Sequence, residues 1–186
     1  MGGHIGRYTT LMAKQNWRVI TFEPMKSNYD ALLFNLNYNE CEQNASVHNV
    51  GLGNKNSKET IYFNKKELAE ASLIESSERN SKTEIKIVRF DDFIEINDTP
   101  KLCLVKIDVE GHEESTIMGM QNFISKEKPL LIIELWKEQS PNLVQYLKSF
   151  GYRRLHIFWF IEEKHQTFMD EMYRLYNKKS SKYEYN

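Results

Sequence analysis

The residues that could do chemistry fall into three short groups. The first is Gly2, His4 and Gly6, which stand directly before a helical pattern. Glycines at a helix start let backbone N–H groups approach an anionic or polar ligand, because no Cβ stands in the way. Glycines near a chain start are also typical of a loose, ligand-free segment. The glycines alone therefore leave both interpretations open.

The second group is Glu23, which follows the strand-like segment 17–22. It stands about 20 residues after the glycines, the offset at which a carboxylate takes ribose hydroxyls in nucleotide-binding β-α-β units. A carboxylate fits that role because it offers two acceptor oxygens side by side to two hydroxyl donors. The alternative is a solvated acid at the end of a strand.

The third group lies where a strand meets a helix and at the end of the following strand: Asp108, Glu110, Glu113 and Glu134. Open α/β sheets bind ligands at the carboxyl ends of their strands, so these acids could hold a cofactor cation, a metal or a substrate hydroxyl. They could equally stabilise a helix N-terminus, or meet water at the sheet edge. His112 and Glu113 are adjacent and do not face the same way on a helix, so we expect a structural or solvated histidine and no metal site.

The elements that must position these residues alternate between helix and strand, which predicts an α/β fold with a largely parallel sheet. The polar segment 64–83 predicts a mobile surface excursion. We expect one domain over 1–161, followed by a helix and a polar tail over 162–186. Strands are predicted over 17–22, 45–50, 59–63, 84–88, 102–107, 130–135 and 154–161, and helices from about 27 to 36, over 113–124 and over 140–150.

Composition narrows the class of function. The 186 residues include 25 Lys and Arg and 26 Asp and Glu, a net charge of −1, which does not indicate a nucleic-acid surface. Cys41 and Cys103 have neither zinc spacing nor a disulfide framework. No stretch reaches the roughly 18 apolar residues of a membrane span, and the start lacks a signal-peptide pattern. We expect a cytoplasmic protein without a membrane span or a nucleic-acid partner, and leave its oligomeric state open.

Taken together, these segments resemble the FkbM-type family of S-adenosylmethionine-dependent methyltransferases. The combination of FEP-x3-NY with KIDVEG-x-E is the most specific part of the likeness, which covers about residues 2–136. The matching segments occur in the family order and are GGHIGRYTTLMA, VITFEPMKSNYDALLFNL, ASVHNVGLGNKNSKETIYF, VRFDDF, LVKIDVEGHEESTIMGM and PLLIIELW.

The resemblance implies a Rossmann-like methyltransferase with a mostly parallel, doubly wound sheet and S-adenosyl-L-methionine as its cofactor. It also implies methyl transfer to a hydroxyl of a small molecule, glycan or lipid. By position, Gly2, His4 and Gly6 would line the methionine side of the cofactor, and Glu23 would take its ribose.

The same resemblance also implies roles for the third group of residues. Asp108 would lie close to the reacting sulfonium and count among both the cofactor-binding and the catalytic residues. Glu110 and Glu134 would place or deprotonate the methyl acceptor. No metal is expected in this set.

One departure from the family pattern concerns the start of the chain. Family members carry a hydrophobic strand that ends in Asp before the glycine turn, a D-x-G-x-x-x-G pattern, whereas here Met1 directly precedes Gly2. We therefore expect a sheet without its first central strand. A chain truncated in this way should be less stable or bind its cofactor less well, because unpaired strand edges are costly.

Two other functions stay open. The first is a catalytically inactive fragment or interaction module with the same architecture. The second is a nicotinamide-dependent enzyme, against which the G-G-x-x-G spacing argues, because a dinucleotide pyrophosphate needs G-x-G-x-x-G.

Overall fold

A computed structural model of the protein describes residues 1–64, 67–93, 104–134 and 140–152, without the side chains of 67–70 and 140–141. The predicted strand over 154–161 and the predicted tail over 162–186 lie outside these residues. The chain divides into two compact units, Met1–Leu143 and Val144–Asn186. All candidate site residues belong to the first unit.

The described residues form six helices and eight strands, with a short 3₁₀ turn at Glu42–Asn44. The helices are α1 (Arg7–Lys14), α2 (Lys26–Tyr38), α3 (Phe90–Phe93), α4 (Glu113–Met118), α5 (Gln121–Glu127) and α6 (Ser140–Ser149). The strands are β1 (Val19–Phe22), β2 (Ala45–His48), β3 (Gly51–Leu52), β4 (Ser57–Asn64), β5 (Glu67–Ser72), β6 (Ser81–Val88), β7 (Leu104–Ile107) and β8 (Leu130–Ile133). None of the helices in the described ranges is long and apolar enough to cross a bilayer.

The strands form two parallel pairs and one four-stranded sheet. Strands β1 and β2 are parallel with α2 between them, and β7 and β8 are parallel with α4 and α5 between them. The four-stranded sheet has the order β3-β6-β4-β5, in which β3 and β6 are parallel and β4 is antiparallel to both of its neighbours. This is the α/β architecture with parallel elements that the alternating pattern predicts.

Helices α1 and α2 pack beside the β1–β2 pair because their apolar residues share one side. Leu32 and Leu36 stand one helical turn apart on α2 and are fully buried, together with Ala13 of α1. Gly6 begins α1 with φ +89°, and a Cβ there would lie 2.7 Å from Leu32 Cγ. A side chain at position 6 would therefore push the two helices apart.

Residues 1–6 form no strand and lead directly into α1. Strands β1 and β7 belong to different sheets. Between their carboxyl ends, the Met1 amino group donates to the Lys106 carbonyl at 2.9 Å, and Gly3 N donates to the Phe22 carbonyl at 3.1 Å. Residues 1–3 thus connect the two parallel pairs at the edge where the candidate site lies.

Two predicted elements were wrong in detail. The segment 64–83, predicted as a surface excursion with no strand of its own, contains β5, which pairs antiparallel with β4. The helix predicted over 113–124 divides into α4 and α5 at Gly119, whose Cβ position would lie 1.9 Å from the Gly53 carbonyl oxygen. The Asp91 side chain caps the N-terminus of α5, because its carboxylate accepts hydrogen bonds from Asn122 N and Phe123 N, both at 3.0 Å.

Candidate active site

The glycine turn and Glu23 meet directly. Glu23 is 4% exposed, and its Oε2 accepts a hydrogen bond from His4 N at 2.7 Å. Its Oε1 accepts one from Met25 N at 3.0 Å, and the Asn28 side chain donates a further one to the carboxylate. Burial raises the pKa of Glu23, and the amides of Met25 and His4 oppose that shift because they stabilise the charged form.

Gly2 brings this turn against Asp108. Its φ is +72°, and a Cβ at this position would lie 1.7 Å from the Asp108 carbonyl oxygen. Only glycine combines that backbone angle with so close an approach. The glycine turn therefore touches the end of β1 on one side and the end of β7 on the other.

Asp108 and Glu134 follow neighbouring parallel strands. Ile107 and Ile133 are partners in the β7–β8 register, and Glu134 N donates to the Ile107 carbonyl at 3.0 Å. The Asp108 and Glu134 side chains are hydrogen-bonded to each other, and Glu134 keeps part of its surface in water. Partial burial, and then the neighbouring charge of Asp108, raise the pKa of Glu134.

Lys106 and Tyr8 complete this group, although the sequence patterns did not single them out as site residues. Lys106 Nζ lies 2.5 Å from Asp108 Oδ2 and 4.8 Å from the centre of the Tyr8 ring. The available signal was the two-residue spacing of Lys106 and Asp108, which favours one face of an extended strand. Tyr8 carried no such signal, because its approach depends on how α1 packs.

Glu110 lies on the turn between β7 and α4, and this turn is held from two sides. The Glu110 backbone has φ +52°, and its carbonyl accepts a hydrogen bond from Ser72 Oγ of β5 at 2.6 Å. Glu113 Oε1 accepts hydrogen bonds from Gly111 N at 3.1 Å and from Val109 N at 3.3 Å. Glu113 thus holds the turn through two backbone amides, and Ser72 of β5 holds it through the Glu110 carbonyl.

The structure therefore brings Gly2, His4, Glu23, Asp108 and Glu134 into one continuous group of contacts. Gly6 lies at the start of α1 against α2. His112 is half-buried beside Gly53, and burial lowers its pKa. Within the ranges that the structure describes, no three His, Cys, Asp or Glu side chains are arranged to hold a metal ion.

The fold and this group of residues define an α/β protein whose candidate site lies at the carboxyl ends of parallel strands, the edge at which open α/β sheets bind ligands. The methyltransferase FkbM domain matches residues 1–154, so the chain belongs to the FkbM methyltransferase family. The predicted family and fold class are thereby confirmed.

Two relatives illustrate the relationship. The chain is 28% identical over 149 residues to the hexuronic acid methyltransferase AglP of Haloferax volcanii, covering 80% of this chain and 59% of that protein. The crystal structure of the methyltransferase FkbM from Methylobacillus flagellatus KT has a TM-score of 0.57 at 23% identity, covering 80% of this chain and 36% of that chain. The chain thus spans less than two thirds of the length of either relative. At 23% identity, the similarity to the crystal structure shows a shared fold only.

Proposed function

We propose that this protein is an S-adenosyl-L-methionine-dependent methyltransferase that methylates a hydroxyl of a glycan, small molecule or lipid. The observation that carries the proposal is the 2.7 Å hydrogen bond from His4 N to Glu23 Oε2, since it joins the glycine turn and the acidic strand end. Membership of the FkbM methyltransferase family supports the reaction class. The similarity to a hexuronic acid methyltransferase favours a glycan acceptor.

The residues present fit this cofactor. Gly2 has no Cβ, which lets the glycine turn pack directly against the Asp108 carbonyl oxygen. The turn thereby lies at the carboxyl ends of β1 and β7, where open α/β sheets bind ligands. Three hydrogen bonds occupy the Glu23 carboxylate, which has about four acceptor positions, so room for one hydroxyl donor remains. We propose that Gly2, His4, Gly6, Glu23 and Asp108 hold the cofactor, within a catalytic domain that spans residues 1–161.

When bound, S-adenosyl-L-methionine supplies a methyl group that is already activated on a sulfonium. The chain's own contribution is then to orient an acceptor hydroxyl and to take its proton. Glu134 suits the second task, because it is hydrogen-bonded to Asp108 and the pKa of its carboxyl is raised. Glu110 suits the placement of the acceptor, because its turn is bonded to Ser72 of β5.

Ligand-dependent melting tests the proposal. A ligand that binds the folded state raises the melting midpoint, so S-adenosylhomocysteine should raise it and NAD should not. A shift with NAD alone would contradict the proposal. An absence of any shift would favour an inactive module of the same fold.

A matched pair of variants tests the site. Glu23→Gln should lower the affinity for S-adenosylhomocysteine at least about tenfold in calorimetric titration, because a charge-assisted acceptor for a hydroxyl is lost. Glu42→Gln changes an exposed acid of the 3₁₀ turn and should leave the affinity unchanged. Equal affinity in both variants and the wild type would contradict the role given to Glu23.

A further inference from the structure

Lys106 is held from two sides at the edge of the candidate site. It lies on β7 two residues before Asp108, so both side chains project from the same face. Its Nζ is 2.5 Å from Asp108 Oδ2 and 4.8 Å above the Tyr8 ring. The two charged side chains are only 19% and 29% exposed, which reduces the screening of their attraction by water.

The acidic side chains around this pair leave Lys106 to compensate their negative charge. Asp108 is hydrogen-bonded to Glu134, and the Glu113 carboxylate also acts on Glu134. Two carboxylates in contact disfavour each other's charged form. Burial, and then the charge of Lys106, lower the pKa of the nearby Met1 amino group to about 5, so Lys106 is the cation paired with Asp108 at pH 8.

We propose that Lys106 is a positioning residue of the candidate active site. It anchors the Asp108 carboxylate through its ion pair, and its charge limits the negative charge that Asp108 and Glu134 present to a cationic ligand. Lys106 therefore sets how strongly the site prefers a positively charged ligand to an uncharged one. This inference rests on the proposed function, in which Asp108 lies near the cofactor.

The test compares two ligands that differ in charge. S-adenosylmethionine carries a sulfonium cation, whereas S-adenosylhomocysteine has an uncharged thioether. Lys106→Met should raise the ratio of the Kd for S-adenosylhomocysteine to the Kd for S-adenosylmethionine about fivefold or more at pH 8, because an unbalanced negative charge attracts the cation. A merely structural loss would weaken both ligands alike and leave the ratio unchanged.

Lys82→Met is the matched control, since Lys82 is an exposed lysine on β6, and its ratio should equal that of the wild type. Lys106→Gln keeps a polar side chain and replaces Lys106→Met if that variant does not fold. Asp108→Asn must move the ratio in the opposite direction, because it removes the negative charge and leaves the lysine.

The outcomes separate the two proposals. Binding of both ligands with an unchanged ratio in the Lys106 variant, or an unchanged ratio in Asp108→Asn, would overturn the role of Lys106. If the wild-type protein binds neither ligand, the proposed function itself fails.

Discussion

Glu113 is a buried acid that faces backbone amides. It is 1% exposed, and its Oε1 accepts hydrogen bonds from Val109 N and Gly111 N. Its Oε2 is buried without a hydrogen-bond partner among the described residues. Burying an oxygen without a partner costs free energy, so any net stabilisation by Glu113 must come from its other oxygen. That oxygen accepts from the two amides on either side of Glu110, whose backbone is left-handed.

Glu113→Ala should therefore lower the free energy of unfolding by about 2–4 kcal/mol, because two amides at the base of the turn lose their acceptor. Glu113→Gln keeps one acceptor oxygen and should lose about 1 kcal/mol. Urea titration measures both, with Glu114→Ala of the same helical turn as the control. Equal losses in the Ala and Gln variants would show that Glu113 does not act as the acceptor for the turn.

His48 gives stability a dependence on pH. Its ring lies 5.3 Å from that of Phe22 and 4.7 Å from that of Phe93, and burial lowers its pKa. The unfolded chain has a histidine pKa of about 6.5, so below that pH the unfolded state binds the proton more readily. The contribution of a neutral His48 to stability should thus be complete above about pH 7 and decline as the pH falls below about 6.5.

The measurement is the unfolding free energy of the wild type and of His48→Phe between pH 5 and 7.5. The variant retains a ring but has no proton to bind at position 48, so it should lose less stability towards pH 5. Glu23, whose raised pKa acts in the opposite direction, is present in both proteins and cancels in the comparison. Parallel pH profiles would contradict the role of His48.

The sequence predicted the placement of candidate residues best where one side chain follows a strand or a turn. Glu23 and the glycine turn were expected to converge, and the hydrogen bond from His4 N to Glu23 places them together. Lys106 and Tyr8 were not assigned to the site, because the contact between them joins a strand and a helix nearly a hundred residues apart. Periodicity describes one element at a time, and such a contact arises only from packing between elements.

The same limit explains the errors in the elements. The apolar residues Ile117, Met120 and Ile124 fit one helical face, which predicted a single helix. The break at Gly119 arises from the close approach of Gly53, in a distant loop. Likewise, β5 contains no β-branched or aromatic residue and so carries no strand signal of its own, and it forms by pairing with β4.

Gly119→Ala, at the break between α4 and α5, should be strongly destabilising for so small a substitution. The Gly119 backbone has φ −73°, which any residue adopts, but the added Cβ would lie 1.9 Å from the Gly53 carbonyl oxygen. Because the obstacle is backbone, we expect a loss of about 3 kcal/mol or more in the free energy of unfolding.

Gly151→Ala is the control, because there the backbone angle disfavours alanine and a steric contact does not. Gly151 has φ +83°, and no atom of the described residues lies within 4 Å of its Cβ position. Among these residues only the left-handed backbone disfavours alanine, by about 1–2 kcal/mol. Thermal or urea unfolding of the two variants separates the cost of a steric contact from the cost of a left-handed backbone angle. A milder effect at position 119 than at position 151 would rule out the steric account of the break between α4 and α5.

The assembly of the first unit depends on how its two parallel pairs are joined. The alternation of helices and strands predicted the α/β class, and the family resemblance predicted a mostly parallel, doubly wound sheet. Neither indicated that residues 1–3 would connect the two pairs, through the carbonyls of Phe22 and Lys106. That arrangement depends on three residues whose local pattern predicts only a turn.

Gly2→Ala should therefore loosen the junction between the pairs without melting the four-stranded sheet. The added Cβ would meet the Asp108 carbonyl oxygen at 1.7 Å in a residue with φ +72°, so the turn must move away from β7. Amide hydrogen exchange should become about tenfold faster or more in peptides covering 19–25 and 104–110, while peptides from β4 and β6 stay protected. Gly6→Ala is the control, because its Cβ would meet Leu32 and disturb α1 and α2 while leaving peptide 104–110 unchanged. If Gly2→Ala leaves exchange at both strand ends unaltered, residues 1–3 do not hold the two pairs together, and the proximity of Glu23 to Asp108 must depend on helix packing instead.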